Sequence, residues 1–566
     1  MRDIRKVFMS GMMAALLFAC AACGGAKNDG QSGAGQSAED STAQNTGAGS
    51  DTAGTDTNIA GDDAVLNIAL NADIVSMDVH RTTNDYLVPM NVFDTLFEVV
   101  VNSDGSTSIE KSLAEDYSIS DDGLAYSITL KDGVVFSDGT PLTADDVKFT
   151  FERILTLPES EQTDYAISIE GANELMNGSA TELSGIKVED DTHLTITLAE
   201  PFAGFLAQLA TPSTSILSKS IVTAAGDDFG VVPQKTLGTG PYIVTSWERG
   251  AGLTFEYNPL YWGPEPSVKK VNARIMDASS MDMAFQKGDL DIIDCLMIDS
   301  AIVESTYKTK FADNIVSVNR LGINYLMLNE KIEPLGDVKV RKAIQMAINR
   351  QAILDSIYSG DGKLEDGIYP EGCLYYSNGN QGWLNYDPDG ARELLAQAGY
   401  SDGFEMELSL DSGAADSVKN VIQIIAQNLS DVGITANIKN YDHASWLEAR
   451  NSGDMPSFLA IWILDYNDPD NVIYTFFGSK DNTVVRSNNY ADDSVIDRVA
   501  SARGIVNTDE RAEEYAALEK KLVQDDAVWV PMFSLKHLFV KSDRVEKFVP
   551  QWAGWSDIYF KGVTLK

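Results

Sequence analysis

Residues 458–477 read FLAIWILDYNDPDNVIYTFF. The first seven, 458–464, are apolar, rich in β-formers and uncharged. A run that short is a strand buried on both faces or a piece of buried helix. It ends at Asp465-Tyr466-Asn467-Asp468-Pro469-Asp470-Asn471, and Asn, Asp and Pro at that density make a turn. Asp465 therefore leaves the end of a buried element with Trp462 and Tyr466 beside it. In open α/β sheets, ligands sit outside the carboxyl ends of strands. A carboxylate among aromatics at such an end suits a cationic group such as an amine. The competing reading makes Asp465 a cap of the next helix in a merely polar turn. A calcium loop is excluded, because Pro469 stands where a ligand is required and the glycine that follows in such loops is absent.

Working outward, the chain has 566 residues, 44% of them hydrophobic, which is more than one core and suggests about two to four domains. The formal charge is −41, with 84 acids against 43 bases. That argues against a nucleic-acid partner and against a basic membrane-binding face. It suits a soluble surface in an aqueous, extracytoplasmic setting. Of four cysteines, Cys20 and Cys23 lie in the first 23 residues, and only Cys295 and Cys373 lie in the body. This is no disulfide framework; one bridge and two separate buried thiols both stay open.

Arg2, Arg5 and Lys6 precede an apolar run over 7–19. Residues 1–19 read as a signal peptide, too short to span a membrane as a mature helix. Leu17-Phe18-Ala19-Cys20, followed by Ala21-Ala22-Cys23-Gly24-Gly25, resembles a bacterial lipobox, in which cysteine becomes the lipid-modified first residue. Cys20 has the leucine three places before it; Cys23, the alternative, has the small residues and the glycines. A redox Cys-x-x-Cys pair is out of place inside a leader. Residues 24–62 are almost wholly Gly, Ser, Ala, Thr, Asn, Gln and Asp, too polar to bury a core. Residues 20–63 therefore read as a lipid-anchored flexible tether.

In the body, residues 66–70 read as a strand, and Tyr126, Ile128 and Leu130 alternate with Ser127 and Thr129 as a strand buried on one face. Thr143 is a helix N-cap with Asp146 as its capping-box partner. Asp387 caps a helix with Pro388 in its first turn, Ala391, Leu394, Leu395 and Ala398 as its stripe, and Gly399 at its end. Val418, Val421, Ile422, Ile425 and Leu429 make another stripe, closed by Gly433 before a strand over 434–438. Helices alternating with strands give an α/β body. Catalytic patterns are missing. His80, His193, His443 and His537 show no metal-ligand spacing, and there is neither a Gly-x-Ser-x-Gly elbow nor a phosphate-cradling glycine loop. The residues give no support for an enzyme, a metal or a cofactor.

Residues 112–155 read SLAEDYSISDDGLAYSITLKDGVVFSDGTPLTADDVKFTFERIL. By local physics this is scaffold, yet the string closely resembles the signature region of the family 5 extracellular solute-binding proteins of ABC transporters, which include dipeptide, oligopeptide and nickel-binding proteins. Gly238-Thr239-Gly240-Pro241-Tyr242 with Asn258-Pro259-Leu260-Tyr261-Trp262, then Phe285-Gln286-Lys287-Gly288-Asp289-Leu290-Asp291, then Asp337-Val338-Lys339-Val340-Arg341-Lys342-Ala343-Ile344 with Ala347-Ile348-Asn349-Arg350, look like further landmarks in the family's order.

The resemblance implies a periplasmic-binding-protein-like fold of class II, cluster C type: two hinged α/β lobes plus an extra domain in the N-terminal half. Lobe I would collect 64–105, 234–324 and 529–566, the extra domain 106–233, and lobe II 325–528. In peptide-binding members an aspartate just after this late strand holds the α-ammonium, and Trp462-Ile463-Leu464-Asp465-Tyr466-Asn467-Asp468-Pro469 matches that motif. Asp465 would then be the ammonium ligand and Trp462 a pocket wall, with Tyr466 and Asn467 beside them. The base for a ligand carboxylate changes with ligand length in the family; Arg486 and Lys419 are candidates by position. Tyr325 and Asn329 fall near an interdomain crossing. The implied role is a monomeric, lipid-anchored receptor that captures di- or oligopeptides for an ABC importer's permease subunits, with no cofactor, no nucleic acid, and a membrane contact only through the N-terminal lipid. The alternatives are the same fold holding a nickel chelate, an opine or a sugar, and a sensor or adhesin without transport.

Overall fold

The apolar run of the opening stretch is a strand, Ser457–Ile463, in the computed structural model, which describes residues 65–82, 85–102, 107–376 and 382–566. The leader, Cys20, Cys23 and the tether lie outside the described residues. The strand's first two residues are buried and its last five half-buried. Burial on both faces therefore holds at its amino end, while its carboxyl end reaches accessible space.

Ser457–Ile463 pairs antiparallel with Gly322–Leu328, from Gly322 opposite Ile463 to Leu328 opposite Ser457. On its other side it meets Phe404–Asp411, which pairs in parallel with the edge strand Ile434–Tyr441. The edge strand runs three residues beyond the expected 434–438. The apolar signal stops there because its outer residues face solvent, whereas backbone pairing needs no apolar side chain. Gly322–Leu328 is buried at every residue and is flanked by the long strand Trp529–Lys541. That strand changes partners along its length. Its first part pairs with Gly322–Leu328 and Gly362–Leu364, and its last part with Ile292–Asp294 and Ile315–Asn319. Val65–Leu70 then joins in parallel to Ile292–Asp294 and Lys270–Ile275, and Gly252–Tyr257 and Tyr242–Glu248 complete a twelve-stranded sheet. Two α/β lobes thus share strands, each with its own apolar core. One gathers Leu66, Ile68 and Val271, the other Leu326, Ile344, Ile425 and Met532.

The N-terminal half adds an antiparallel sheet of Ala114–Ile119, Ala125–Leu130, His193–Thr197 and Ile186–Val188. Tyr126, Ile128 and Leu130 are buried on it, as their alternation predicts. The Thr143 amide donates to Asp146 at 3.0 Å ahead of the helix Ala144–Thr156, and the other Asp146 oxygen accepts from the Lys219 amide at 2.8 Å. Asp387 accepts from the Gly390 amide at 2.9 Å and caps Pro388–Gln397. Gly399 and Gly433, at φ 90° and 94°, end their helices in the left-handed region where a side chain is strained. Cys295 and Cys373 are both free and buried in different apolar clusters, which settles the open alternative in favour of separate thiols. Among the described residues no helix is long and apolar enough to cross a membrane. Nor is any group of three or more His, Cys, Asp or Glu among them arranged to hold a metal ion.

Candidate ligand site

Two residues decide what Asp465 does. The helix after the turn is Asp470–Phe477, and the amide of Asp470 donates to Asp468 Oδ1 at 2.8 Å. Asp468, not Asp465, thus serves the helix start. Asp465 is held by Asn471: its amide donates to Asn471 Oδ1 at 3.1 Å, and Asn471 Nδ2 donates to Asp465 Oδ2 at 3.1 Å. The same Oδ1 accepts from Trp462 Nε1 at 3.0 Å. One buried amide therefore orients both the carboxylate and the indole. No ammonium or guanidinium of the described residues is ion-paired with Asp465. Burial pushes its pKa up to about 6; the Asn471 hydrogen bond opposes that rise, the Asp164 charge adds to it, and Arg486 opposes it. A half-dry carboxylate without a counter-ion favours any cation brought to it.

Groups from distant parts of the chain face this carboxylate. Tyr86 and Tyr165 feel its charge. The Tyr86 hydroxyl is hydrogen-bonded to Ser213 Oγ at 3.1 Å, and its ring stacks on Trp555 at 5.0 Å. Asp164 lies on the turn Thr163–Tyr165 and has its pKa raised by burial. The wall is aromatic. Trp462 meets Phe476 edge-on at 5.4 Å, and the Arg486 guanidinium lies 4.9 Å from the Trp462 ring centre and 5.1 Å from that of Phe476.

Arg486 is thus brought to Asp465, while Lys419 is not: it sits on the helix Asp416–Asp431 and pairs with Asp416 at 3.2 Å. The buried Tyr466 donates its hydroxyl to Asp470 at 3.2 Å, with its ring 6.3 Å from Phe202. Asn467 donates to Thr107 Oγ1 at 2.6 Å and to the Gly372 carbonyl at 3.0 Å, and accepts from the Leu374 amide at 3.0 Å. Both side chains tie the loop to the protein. Tyr325 is buried, stacked on Trp529 at 4.0 Å, and Asn329 donates to the carbonyls of Gly453 and Met455 at 3.0 and 2.8 Å. Below the loop, Arg511 grips both oxygens of Asp468 at 2.7 and 2.8 Å, and Arg503 reaches Asp470 at 3.2 Å. The Arg503 guanidinium lies 4.3 Å from the Phe202 ring centre, and its carbonyl accepts from the Ala203 amide at 2.9 Å. The ligand loop is thereby braced against the N-terminal half.

Sequence reasoning missed Asn471, Tyr86, Asp164, Tyr165 and Trp555. Asn471 stands in the quoted stretch, but nothing local separates it from the other Asx residues of that turn. The rest arrive from 300 or more residues away in the chain or from its last residues, and no periodicity marks them.

Two α/β lobes that share strands form the architecture of the periplasmic binding proteins. The family model for bacterial extracellular solute-binding proteins, family 5 Middle, matches residues 108–484, and the chain belongs to that family. The body is thereby placed outside the cytoplasm. The chain is 27% identical over 496 residues to the probable D,D-dipeptide-binding periplasmic protein DdpA of Escherichia coli, covering 86% of this chain and 91% of that one. It is 28% identical over 472 residues to heme-binding protein A of Haemophilus influenzae, covering 80% and 84%. The Helicobacter pylori ABC transporter-associated periplasmic binding protein DppA, solved with the peptide STSA, superposes with a TM-score of 0.69 at 27% identity, covering 88% of this chain and 98% of that one.

Proposed function

We propose that the protein is a peptide receptor that passes di- or oligopeptides to the permease subunits of an ABC importer, and that Asp465 holds the peptide's α-ammonium. The observation that carries this reading is the partly desolvated Asp465 carboxylate, ion-paired with none of the described residues and oriented by Asn471 beside the Trp462 ring. Relatives named for dipeptides, and one solved with a bound peptide, support it. Trp462 walls the pocket, and Tyr466 and Asn467 act by fixing the loop. The heme-binding relative supports a second reading, the same cleft holding a non-peptide ligand.

The test is a calorimetric cycle. In a closed cleft the ammonium contact is a charge-assisted hydrogen bond, and removing one partner leaves the other charge buried. Asp465→Asn should therefore weaken a free-amine peptide by about 2–5 kcal/mol, roughly 30-fold to several thousand-fold. N-acetylating the peptide should weaken wild-type binding similarly, and both changes together should cost much less than their sum. A folded Asp465→Asn variant that binds the free peptide as tightly as wild type removes Asp465 from the site.

The reading includes the anchor and the lobes. Processing leaves a diacylglyceryl cysteine at Cys20, or at Cys23, and the protein works as a monomer tethered by that lipid. Globomycin-sensitive processing and a lipid mass on the N-terminal peptide are expected; an unmodified N-terminus on protein found wholly in the medium contradicts it. The lobes divide at about residues 105/106, 233/234, 324/325 and 528/529. The four-stranded sheet falling wholly within 106–233 supports that division.

A further inference from the structure

A second carboxylate stands near the Asp465 region, and it comes from the end of the chain. Residues 552–558 follow the strand Trp529–Lys541 and return to the segment that carries Tyr86. They are pinned there by Asn91, whose Nδ2 donates to the Ile558 carbonyl at 2.9 Å and whose Oδ1 accepts from the Phe560 amide at 2.8 Å. Three rings gather at this return. Tyr86 stacks on Trp555 with its ring centre at 5.0 Å and the planes 26° apart, and Trp552 lies 5.9 Å from Trp555. Asp557 Oδ2 accepts from the Tyr86 amide at 3.3 Å, which holds the carboxylate at the base of that tyrosine. The Tyr86 ionisation responds to Asp465 as well as to Asp557. One tyrosine side chain therefore links the two acids.

Among the described residues no cation is ion-paired with Asp557 or with Asp85 beside it. Burial pushes Asp557 up to about 7; the Asp85 charge adds to the rise, the Tyr86 amide opposes it, the Asp294 charge adds, and the Leu87 amide opposes. Asp85, whose Oδ2 accepts from the Val75 amide at 2.7 Å, is raised by burial too. Asp294 is the third acid, only 4% exposed. Its Oδ1 accepts from the Leu296 amide at 2.8 Å and lies 2.6 Å from His537 Nε2, whereas its Oδ2 has no hydrogen-bond partner and its charge is felt at Asp557. His537 Nδ1 donates to the Gly554 carbonyl at 2.7 Å, so the same pair fixes the residue before Trp555. The cations at this end, His537 and Arg320, both act on Asp294, and neither is ion-paired with Asp557 or Asp85. A half-dry carboxylate beside aromatic rings favours an ammonium or guanidinium, which gains from the charge and from the ring quadrupole together.

We propose that Asp557, with the Tyr86–Trp555 stack, holds a second cationic group of the ligand, so that the receptor prefers peptides carrying a basic side chain near the amino end. The proposal rests on the peptide reading above, in which Asp465 takes the α-ammonium. The four-carbon stem of a lysine is flexible and comparable in length to the tyrosine that links the two acids, so one residue can present an ammonium to each.

The experiment is calorimetry on the full chain with lysyl-alanyl-alanine, its Nε-acetyl and Nα-acetyl forms, and norleucyl-alanyl-alanine, which keeps the stem and lacks the charge. Wild type should bind the lysyl peptide about tenfold or more tighter than the norleucyl peptide, and Nε-acetylation should remove that preference. Asp557→Asn keeps the acceptor for the Tyr86 amide and, once thermal melting shows it folded, should bind the two peptides alike. Should it fail to fold, the peptide series on wild type decides. The proposal is overturned if wild type binds the lysyl and norleucyl peptides equally, if folded Asp557→Asn keeps the preference, or if the lysyl peptide does not bind. Sensitivity to Nα-acetylation with indifference to Nε-acetylation removes this proposal and leaves the peptide reading standing. Sensitivity to Nε-acetylation alone supports the Asp557 site and removes Asp465 as the ammonium ligand. Indifference to both removes the two together.

Discussion

Asp465 pays for its position in ionisation. An aspartate whose folded pKa is raised keeps a proton that the unfolded chain has already released, so its contribution to stability falls as pH rises between its ordinary value and about 6. An incoming ammonium requires the carboxylate form and so displaces that proton. Affinity for a free-amine peptide should therefore be about tenfold weaker at about pH 5 than at about pH 7, while the N-acetyl peptide and Asp465→Asn give flat profiles. Calorimetry in buffers of different ionisation enthalpy reads both the affinity and the proton released. Asp465 and Trp462 were legible because their signal is local: an apolar run stops, and a carboxylate follows an indole. Asn471 was not, since choosing among Asp465, Asp468, Asp470 and Asn471 depends on where the helix begins, and that is fixed by the Asp468 turn.

At the scale of the element, the loop between Ser457–Ile463 and Asp470–Phe477 is braced from below, where Arg511 pairs with Asp468 and Arg503 with Asp470. Asp468 and Arg511 form a doubly hydrogen-bonded pair, both side chains almost wholly buried. Truncating one member of such a pair leaves an uncompensated charge and costs about 3–5 kcal/mol. Arg511→Met should lower the denaturant midpoint accordingly, and Asp468→Asn combined with Arg511→Met should cost less than the two single changes added together. Additive losses in the double variant contradict the pairing. Helix ends such as Asp387 with Gly399 were readable because cap and helix are neighbours in sequence. The Asp468–Arg511 pair joins residues 43 positions apart, and the Arg503–Phe202 contact joins positions farther apart still. Folding, not spacing, brings them together.

At the scale of the molecule, the two lobes share Gly322–Leu328 and Trp529–Lys541, and the proposed ligand would lie between them. Such lobes close by bending where those strands cross. Saturating peptide should reduce the small-angle scattering radius and raise the melting temperature, with about 2.7 kcal/mol of added stability at a hundredfold excess over Kd. A tight ligand that leaves the radius unchanged counts against closure. The α/β class came from alternating helix and strand patterns, and the two-lobe architecture from the order of the family's landmarks. Neither reveals that Trp529–Lys541 changes partners halfway along, because a strand's own residues carry no record of which neighbours it meets.

That strand also sets a timetable. The sheet that opens with Val65–Leu70 recruits Lys270–Ile275 and Ile292–Asp294, but the neighbour of Ile292–Asp294 is supplied by residues 539–541. Domains usually fold amino end first as they emerge from the ribosome. Here the first lobe stays one strand short until residues 539–541 have been synthesised. If the proposed leader sends the chain across a membrane unfolded, a late closing strand suits that passage, because the first lobe stays incomplete while residues 539–541 are still to come.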